Sequence, residues 1–205
     1  DLAKLGFSVT IFESQMEPGG VLMYGIPDFR LPKDIVRRET AKLGRLGVEI
    51  RTQTMVGKDI TVDGMFEEGY DAVFMGTGTA LPSTLDLEGK DLPGIITATY
   101  FLSSVALAAD GHLPEEEIPI RAGERVIVIG AGNVAMDAAR TALRQGAERV
   151  VVVYRRTVDE MTALRSEYDH AFAEGVQFSW LTAPVSYLGN GRVQALKIQK
   201  MKMVE

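Results

Sequence analysis

Arg125 to Arg156 reads RVIVIGAGNVAMDAARTALRQGAERVVVVYRR, and the fold turns on it. A tight apolar run from Val126 to Ile129 ends at Gly130-Ala131-Gly132. A helical segment follows from Asn133 to Arg144, closed by Gly146, and a second apolar run from Val150 to Val153 delivers Tyr154-Arg155-Arg156. This is a βαβ unit with a Gly-x-Gly-x-x-Ala turn, the dinucleotide-binding fingerprint in the form that allows Ala at the third position. Gly130 permits the sharp strand-to-helix turn. Gly132 has no Cβ to block a pyrophosphate, and Ala135 lets the helix pack closely on the strands. The first helical residues, Asn133, Val134 and Ala135, aim unpaired N–H groups and the positive end of the helix dipole at the phosphates.

The end of the second strand selects the nucleotide. An acidic residue there accepts hydrogen bonds from a free ribose 2′-OH, whereas arginine answers a 2′-phosphate. Here the strand ends in Tyr154, Arg155 and Arg156. Charge-assisted hydrogen bonds to a phosphate contribute roughly 1.5–3 kcal/mol each, enough for NADP to outcompete NAD. The expected ligand is NADP(H). A solvated strand edge is the bland alternative for two such arginines.

The chain opens with a related pattern. Asp1 to Gly6 reads as the last turns of a helix with Gly6 as its cap, followed by an apolar-rich strand from Phe7 to Phe12 and then Glu13. Helix end, glycine, strand and acid form the second half of a mononucleotide unit, so the chain is expected to enter part-way through a βαβ motif. Glu13 sits where an acid would hold a ribose 2′-OH. One half thus offers an acceptor and the other offers donors, which implies two nucleotides: an FAD-type adenosine first and NADP second.

Composition narrows the class. A length of 205 residues, 46% hydrophobic and 24% charged, suits one large or two small globular domains. A formal net charge of −6 gives no support to nucleic-acid binding. No long uncharged apolar run suggests a membrane span, and cytoplasm is the expected location. With no cysteine, the chain itself holds no disulfide, no Cys-ligated cluster and no redox dithiol. His112 and His170 have no spaced partners, so no metal site is expected.

Between these two patterns, Pro18-Gly19-Gly20 to Ile26-Pro27 and Asp28 to Lys33 read as an apolar loop. Asp34 is expected to cap a helix to Leu46 with Ile35, Leu43 and Leu46 buried. Strands are expected at Val48 to Arg51 and Tyr70 to Met75, with a turn over Val56 to Thr61. Gly76-Thr77-Gly78-Thr79 is a turn that lets backbone approach a ligand. Leu85 to Gly94 reads as a polar linker, Thr97 to Asp110 as a helix, and Gly111 to Gly123 as an acidic connection. Ala163 to Glu174 then reads as a helix and Val176 to Leu181 as a strand. A hairpin turns at Gly189-Asn190-Gly191, its last strand running from Arg192 to Met203. Trp180 and the methionines read as packing, and Asp137 as a structural carboxylate favourable to its helix dipole.

Taken together, these pieces resemble the NADPH-dependent glutamate synthase small (β) subunit family of FAD/NAD(P)-dependent oxidoreductases. The resemblance rests on Glu13, the Pro-Gly-Gly loop with Tyr24-Gly25-Ile26-Pro27 and Arg30-Leu31-Pro32-Lys33, and Val56-Gly57-x-Asp59. It continues through Gly76-Thr77-Gly78-Thr79, Phe101-Leu102, and Gly130-x-Gly132-Asn133-Val134-Ala135-Met136-Asp137 with Tyr154-Arg155-Arg156. Relatives of that family include the flavin module of dihydropyrimidine dehydrogenase and the NADP-binding subunit of ferredoxin:NADP transhydrogenases. The resemblance implies an α/β chain with two Rossmann-like, three-layer nucleotide-binding domains, the first truncated: residues 1–92 a partial FAD-binding domain lacking its first βα and its C-terminal part, residues 93–205 an NADP(H)-binding domain. It also implies that Glu13 holds the adenosine ribose, that Gly20 and Leu22 lie along the flavin cofactor, that Val56 meets the adenine by its backbone and that Gly78 approaches the diphosphate. Thr162 departs from the family pattern, which tends to have Pro after Met161.

The implied activity passes hydride from NADPH to FAD and electrons on to iron–sulfur centres of another domain or of a large synthase subunit. The cofactors carry that chemistry, so no general acid or base is assigned. Alternatives are an NADP(H)-binding module without turnover, the NADP-binding subunit of a ferredoxin:NADP oxidoreductase, or a structural domain that keeps only the fold.

Overall fold

Regular structure follows most of the apolar runs, and the computed structural model describes residues 1–79, 82 and 84–202. Met203, expected in the last strand, lies outside the described residues. The chain divides into two units, Asp1–Leu81 and Pro82–Glu205.

The first unit opens with a 3-10 turn over Leu2–Leu5, closed by Gly6 in the left-handed conformation as expected. Strand β1 (Thr10–Phe12) is shorter than the apolar run that contains it. A single helical turn, α1 (Val21–Tyr24), forms inside the segment read as a loop, and α2 (Lys33–Arg45) follows. Strand β2 (Glu49–Arg51) then pairs with β1 in parallel, Phe12 opposite Arg51. The short α3 (Val62–Glu67), which the sequence reading missed, is capped by the Thr61 hydroxyl accepting from the Gly64 N–H.

Three expectations fail here. Asp34 lies in the first turn of α2 rather than at its cap; the Asp28 carboxylate instead accepts the Lys33 N–H at 3.0 Å. The buried face is also rotated. Lys33 and Val36 are buried while Ile35 and Leu46 are exposed, because the Lys33 ammonium is drawn inward by backbone carbonyls of α1 and the turn after it. The third failure is the strand at Tyr70 to Met75, which does not form. Among the described residues strands β1 and β2 pair only with each other, and an apolar run becomes a strand only where its backbone groups find a ladder. Phe74 is 92% exposed and Met75 71%.

In the second unit α4 (Ala98–Ala109) starts at Thr97, whose hydroxyl accepts from the Tyr100 N–H. The fingerprint folds as read: β3 (Arg125–Ile129), α5 (Asn133–Arg144) and β4 (Arg149–Val153). Helix α6 (Arg165–Ala173) and β5 (Gln177–Ser179) complete a parallel sheet in the order β3-β4-β5. Val and Ile suit the pleated, half-buried surface of β3 and β4. The alanines of α5 let it settle onto those strands, with Ala135, Ala138, Ala139 and Ala142 all buried. The core joins Met136 of α5, Val150 and Val152 of β4, Phe101 and Leu102 of α4, and Val176. Trp180 packs against this core and stacks on Phe178, ring centroids 5.3 Å apart.

Strand β5 stops before Leu181, which takes a positive φ of 49°. The antiparallel hairpin β6 (Thr182–Gly189) and β7 (Val193–Lys200) follows, with irregularities between Pro184 and Ser186 and between Leu188 and Gly189. The segment read as a polar linker is fastened to this hairpin: the Tyr187 N–H donates to the Glu88 carbonyl at 2.8 Å and the Val193 N–H to the Pro93 carbonyl at 2.9 Å. Glu115–Glu117 form an exposed 3-10 turn.

Candidate functional site

Strand register brings the glycine turn and the arginines together. Ile129 of β3 lies opposite Val153 of β4, and the Gly130 N–H donates to the Val153 carbonyl at 3.0 Å. Both chains therefore leave the sheet at the same edge, β3 into Gly130-Ala131-Gly132 and β4 into Tyr154-Arg155-Arg156. Gly130 has φ 118°, a conformation that side chains with a Cβ rarely adopt, and an added Cβ would meet nothing within 4 Å. Gly132 is the N-cap of α5, so the first turn of the helix opens toward this edge. Ala135 is buried against the strands while Val134 is half exposed.

Arg155 and Arg156 are exposed. Neither forms an ion pair among the described residues, so both cations keep their charge for an outside anion. Their backbone is held tightly. The Tyr154 N–H donates to the Ser179 carbonyl, the Thr182 N–H to the Tyr154 carbonyl, and the Leu181 N–H to the Arg156 carbonyl, at 2.9–3.1 Å. The left-handed Leu181 makes the last of these contacts. The Tyr154 hydroxyl donates to the Glu160 carbonyl at 3.1 Å, and its ring meets Trp180 edge-on.

The loop after the arginines returns to the glycine turn. Thr157 and Glu160 form a capping box. The Ala163 N–H donates to the Ala131 carbonyl at 3.0 Å, and the Leu164 N–H to Asn133 Oδ1 at 2.9 Å. Leu164 keeps an extended backbone (ψ 139°) as the N-cap, so α6 begins at Arg165 rather than at Ala163. Behind the site, α5 and α6 are joined by a buried ion network the sequence reading did not foresee. Arg140 donates to Glu174 at 2.8 Å and to Glu167 at 3.2 Å, and Arg144 donates to Glu174 at 2.9 Å. Asp137 is buried in α5.

In the first unit Glu13 ends β1 as expected, its N–H donating to the Arg51 carbonyl. Glu13 Oε1 accepts the Gln15 N–H at 2.9 Å. Residues 53 and 54 run alongside: the Gln53 N–H donates to the Gln15 carbonyl and the Thr54 N–H to the Glu13 carbonyl, and Val56 follows two residues on. Gly20 is the N-cap of α1, and Leu22 is half exposed on it. Lys33 Nζ donates to the Leu22 carbonyl at 2.9 Å and to the Ile26 carbonyl. A buried lysine in this role carries no sequence signal beyond its place in Arg30-Leu31-Pro32-Lys33. Glu17 and Arg37 pair through two hydrogen bonds, at 2.7 and 2.9 Å, fixing the segment before Pro18 to α2. Gly78 lies in the stretch without regular structure, and among the described residues no hydrogen bond ties it to Glu13.

Among the described residues no group of three or more His, Asp or Glu side chains is placed to hold a metal ion, and no helix is long and apolar enough to cross a membrane.

A parallel βαβ unit whose glycine turn and paired cations follow the same ends of adjacent strands defines a dinucleotide-binding fold. The profile of the pyridine nucleotide-disulphide oxidoreductases matches residues 2–204, and the chain belongs to that family. It is 36% identical over 208 residues to the glutamate synthase [NADPH] small chain of Escherichia coli, covering 100% of this chain and 44% of that protein. It is 40% identical over 207 residues to the NADP(+)-dependent formate dehydrogenase subunit beta of Moorella thermoacetica, covering 100% of this chain and 28% of that one. The resemblance drawn from the motifs is thus borne out, and the chain spans less than half the length of either relative. Among solved structures, Mycobacterium tuberculosis FprA in complex with NADPH superposes with a TM-score of 0.78 at 23% identity, covering 97% of this chain and 58% of that one. At that identity the likeness shows the Rossmann-like α/β fold.

Proposed function

We propose that this chain is the nucleotide-binding part of an NADPH-dependent flavin oxidoreductase, with an FAD-binding first half and an NADP(H)-binding second half. The observation that carries the reading is the shared edge of β3 and β4. An open glycine turn and two arginines that form no ion pair among the described residues match the two anionic groups of NADP(H), the pyrophosphate and the 2′-phosphate. In this reading Gly130 and Gly132 admit the pyrophosphate and the N–H groups at Asn133 and Val134 face it; the Ala135 N–H, expected to be unpaired, donates instead to the Gly132 carbonyl at 2.9 Å, so Ala135 serves by its small side chain. Arg155 and Arg156 receive the 2′-phosphate, while Tyr154, whose N–H and hydroxyl are both donated within the protein, holds the strand end in place.

The residues of the first unit fit an adenosine ribose. Glu13 uses Oε1 on its own backbone turn, leaving Oε2 to accept from a ribose hydroxyl. Gly20, Leu22, Val56 and Gly78 would line the rest of the FAD. When bound, NADPH and FAD supply the hydride and its two-electron acceptor; the protein contributes binding, orientation and exclusion of the wrong nucleotide. Electrons would leave to iron–sulfur centres on another domain or on a large synthase subunit, in the cytoplasm.

Titration of the purified protein with NADPH and NADH tests the nicotinamide half. Replacing Arg155 and Arg156 together by alanine should weaken NADPH binding by about tenfold or more and leave NADH almost unchanged. Equal loss for both nucleotides would refute the 2′-phosphate assignment.

A further inference from the structure

Thr162 carries a role that the fingerprint does not describe. An added Cβ on Gly132 would lie 3.4 Å from Thr162 Oγ1, and among the described residues outside its own turn nothing else comes within 4 Å of it. The hydroxyl therefore stands at the rim of the space that the second fingerprint glycine leaves open. It makes no hydrogen bond to the protein among the described residues, although the backbone on both sides of it is committed.

That commitment is what makes the position informative. The Ala163 N–H is held by the Ala131 carbonyl inside the turn itself, and the Leu164 N–H by the Asn133 side chain at the start of α5. At the other end of the loop the Tyr154 hydroxyl holds the Glu160 carbonyl. The loop is thus pinned to both strands of the fingerprint, with Thr162 between the pins. An exposed threonine on a free loop would be filler. One fixed over an anion cradle is a preorganised donor, and a hydroxyl that finds its partner only in the ligand loses little freedom on binding.

Resting on the NADP(H) reading, we propose that the Thr162 hydroxyl donates a hydrogen bond to the dinucleotide pyrophosphate at the Gly130–Gly132 turn. Asn133 acts as the positioning residue that holds the loop there. The pyrophosphate is common to NADPH and NADH, so this contact adds affinity without selecting between them. Arg155 and Arg156 supply the selection. Affinity and selectivity are therefore assigned to different residues of one site.

The test is calorimetric titration of the purified protein with NADPH and with NADH, in the wild type, Thr162→Val, Thr162→Ser and Asn133→Ala. Valine matches threonine in shape and removes only the donor. Thr162→Val should weaken both nucleotides about tenfold and leave their ratio at the wild-type value. Thr162→Ser should retain wild-type affinity, and Asn133→Ala should weaken both in the same direction as Thr162→Val. Unchanged affinity in Thr162→Val, or a loss confined to NADPH, overturns the role of Thr162 and leaves the nucleotide site standing. A folded wild type that binds neither nucleotide overturns the site itself, and this role with it.

Discussion

Strands β1 and β4 each end in the charged residue that would face a nucleotide, yet they sit in very different surroundings. Strand β4 has a neighbour on both sides, pairs over five residues with β3, and is covered by α5. Strand β1 pairs over three residues with β2 and, among the described residues, with no other strand. Further along the first unit, Asp71 to Met75 is as apolar as many strands, but its amides make no hydrogen bond among the described residues. The contrast separates two things often treated as one. Hydrophobic pattern says which residues can join a sheet; only a ladder partner decides whether they do.

Hydrogen exchange should show the largest effect. Amides of Val150 to Val153 open only with the core of the second unit, whereas those of Asp71 to Met75 need no opening at all. Local stabilities in proteins run from near zero up to the global value, so protection in β4 should exceed that in Asp71–Met75 by on the order of a thousandfold or more. Comparable protection in the two segments would break the comparison, because it would mean that the apolar run has a ladder after all.

The ion network between α5 and α6 sharpens the same comparison on the side of the second unit. The Arg140 side chain is 8% exposed and bridges Glu167 and Glu174. Removing one partner of a buried network strands the charges left behind, so Arg140→Ala should destabilise by about 3–5 kcal/mol. Arg144 reaches the same Glu174 from a side chain that is 49% exposed, and its loss should cost about 1 kcal/mol or less. Urea unfolding of both variants reads the difference. Equal losses would show that burial does not set the worth of these pairs, and that α6 is held to α5 mainly by apolar contact.

How much of this was legible in the sequence depends on how local each feature is. The β3-α5-β4 unit was readable almost to the residue, because strand, turn and helix signals lie within one continuous stretch and agree with one another. Glu13 and the arginine pair were legible for the same reason, each being the next residue or two after a strand. The buried face of α2 was not, since a lysine faces inward there and pattern reading counts lysine as polar. The failed strand at Tyr70 to Met75 needed knowledge of its partner. Thr162 was visible only as a departure from a family pattern; its place over Gly132 depends on two hydrogen bonds formed by its neighbours, across 31 positions in the case of Leu164 and Asn133.

The smallest expected effect is one of pH, and its sign follows from Glu174. Burial alone would push this carboxyl up, but hydrogen bonds and charge from Arg144 and Arg140 outweigh it and hold the group below the usual carboxylate range. A depressed folded pKa means that the folded chain binds the Glu174 proton less readily than the unfolded one. The stabilisation is therefore complete above the unfolded value of about 4.3 and is lost as pH falls through the lower, folded value. Thermal unfolding followed from pH 6 down to about pH 3 should show the wild type losing stability more steeply than Glu174→Gln, which has no proton to bind at that position. Glu174→Gln should also be the less stable protein at pH 6, where the wild-type carboxylate is fully paired. Parallel curves would place the acid sensitivity in other carboxylates and leave the α5–α6 network without a part in it.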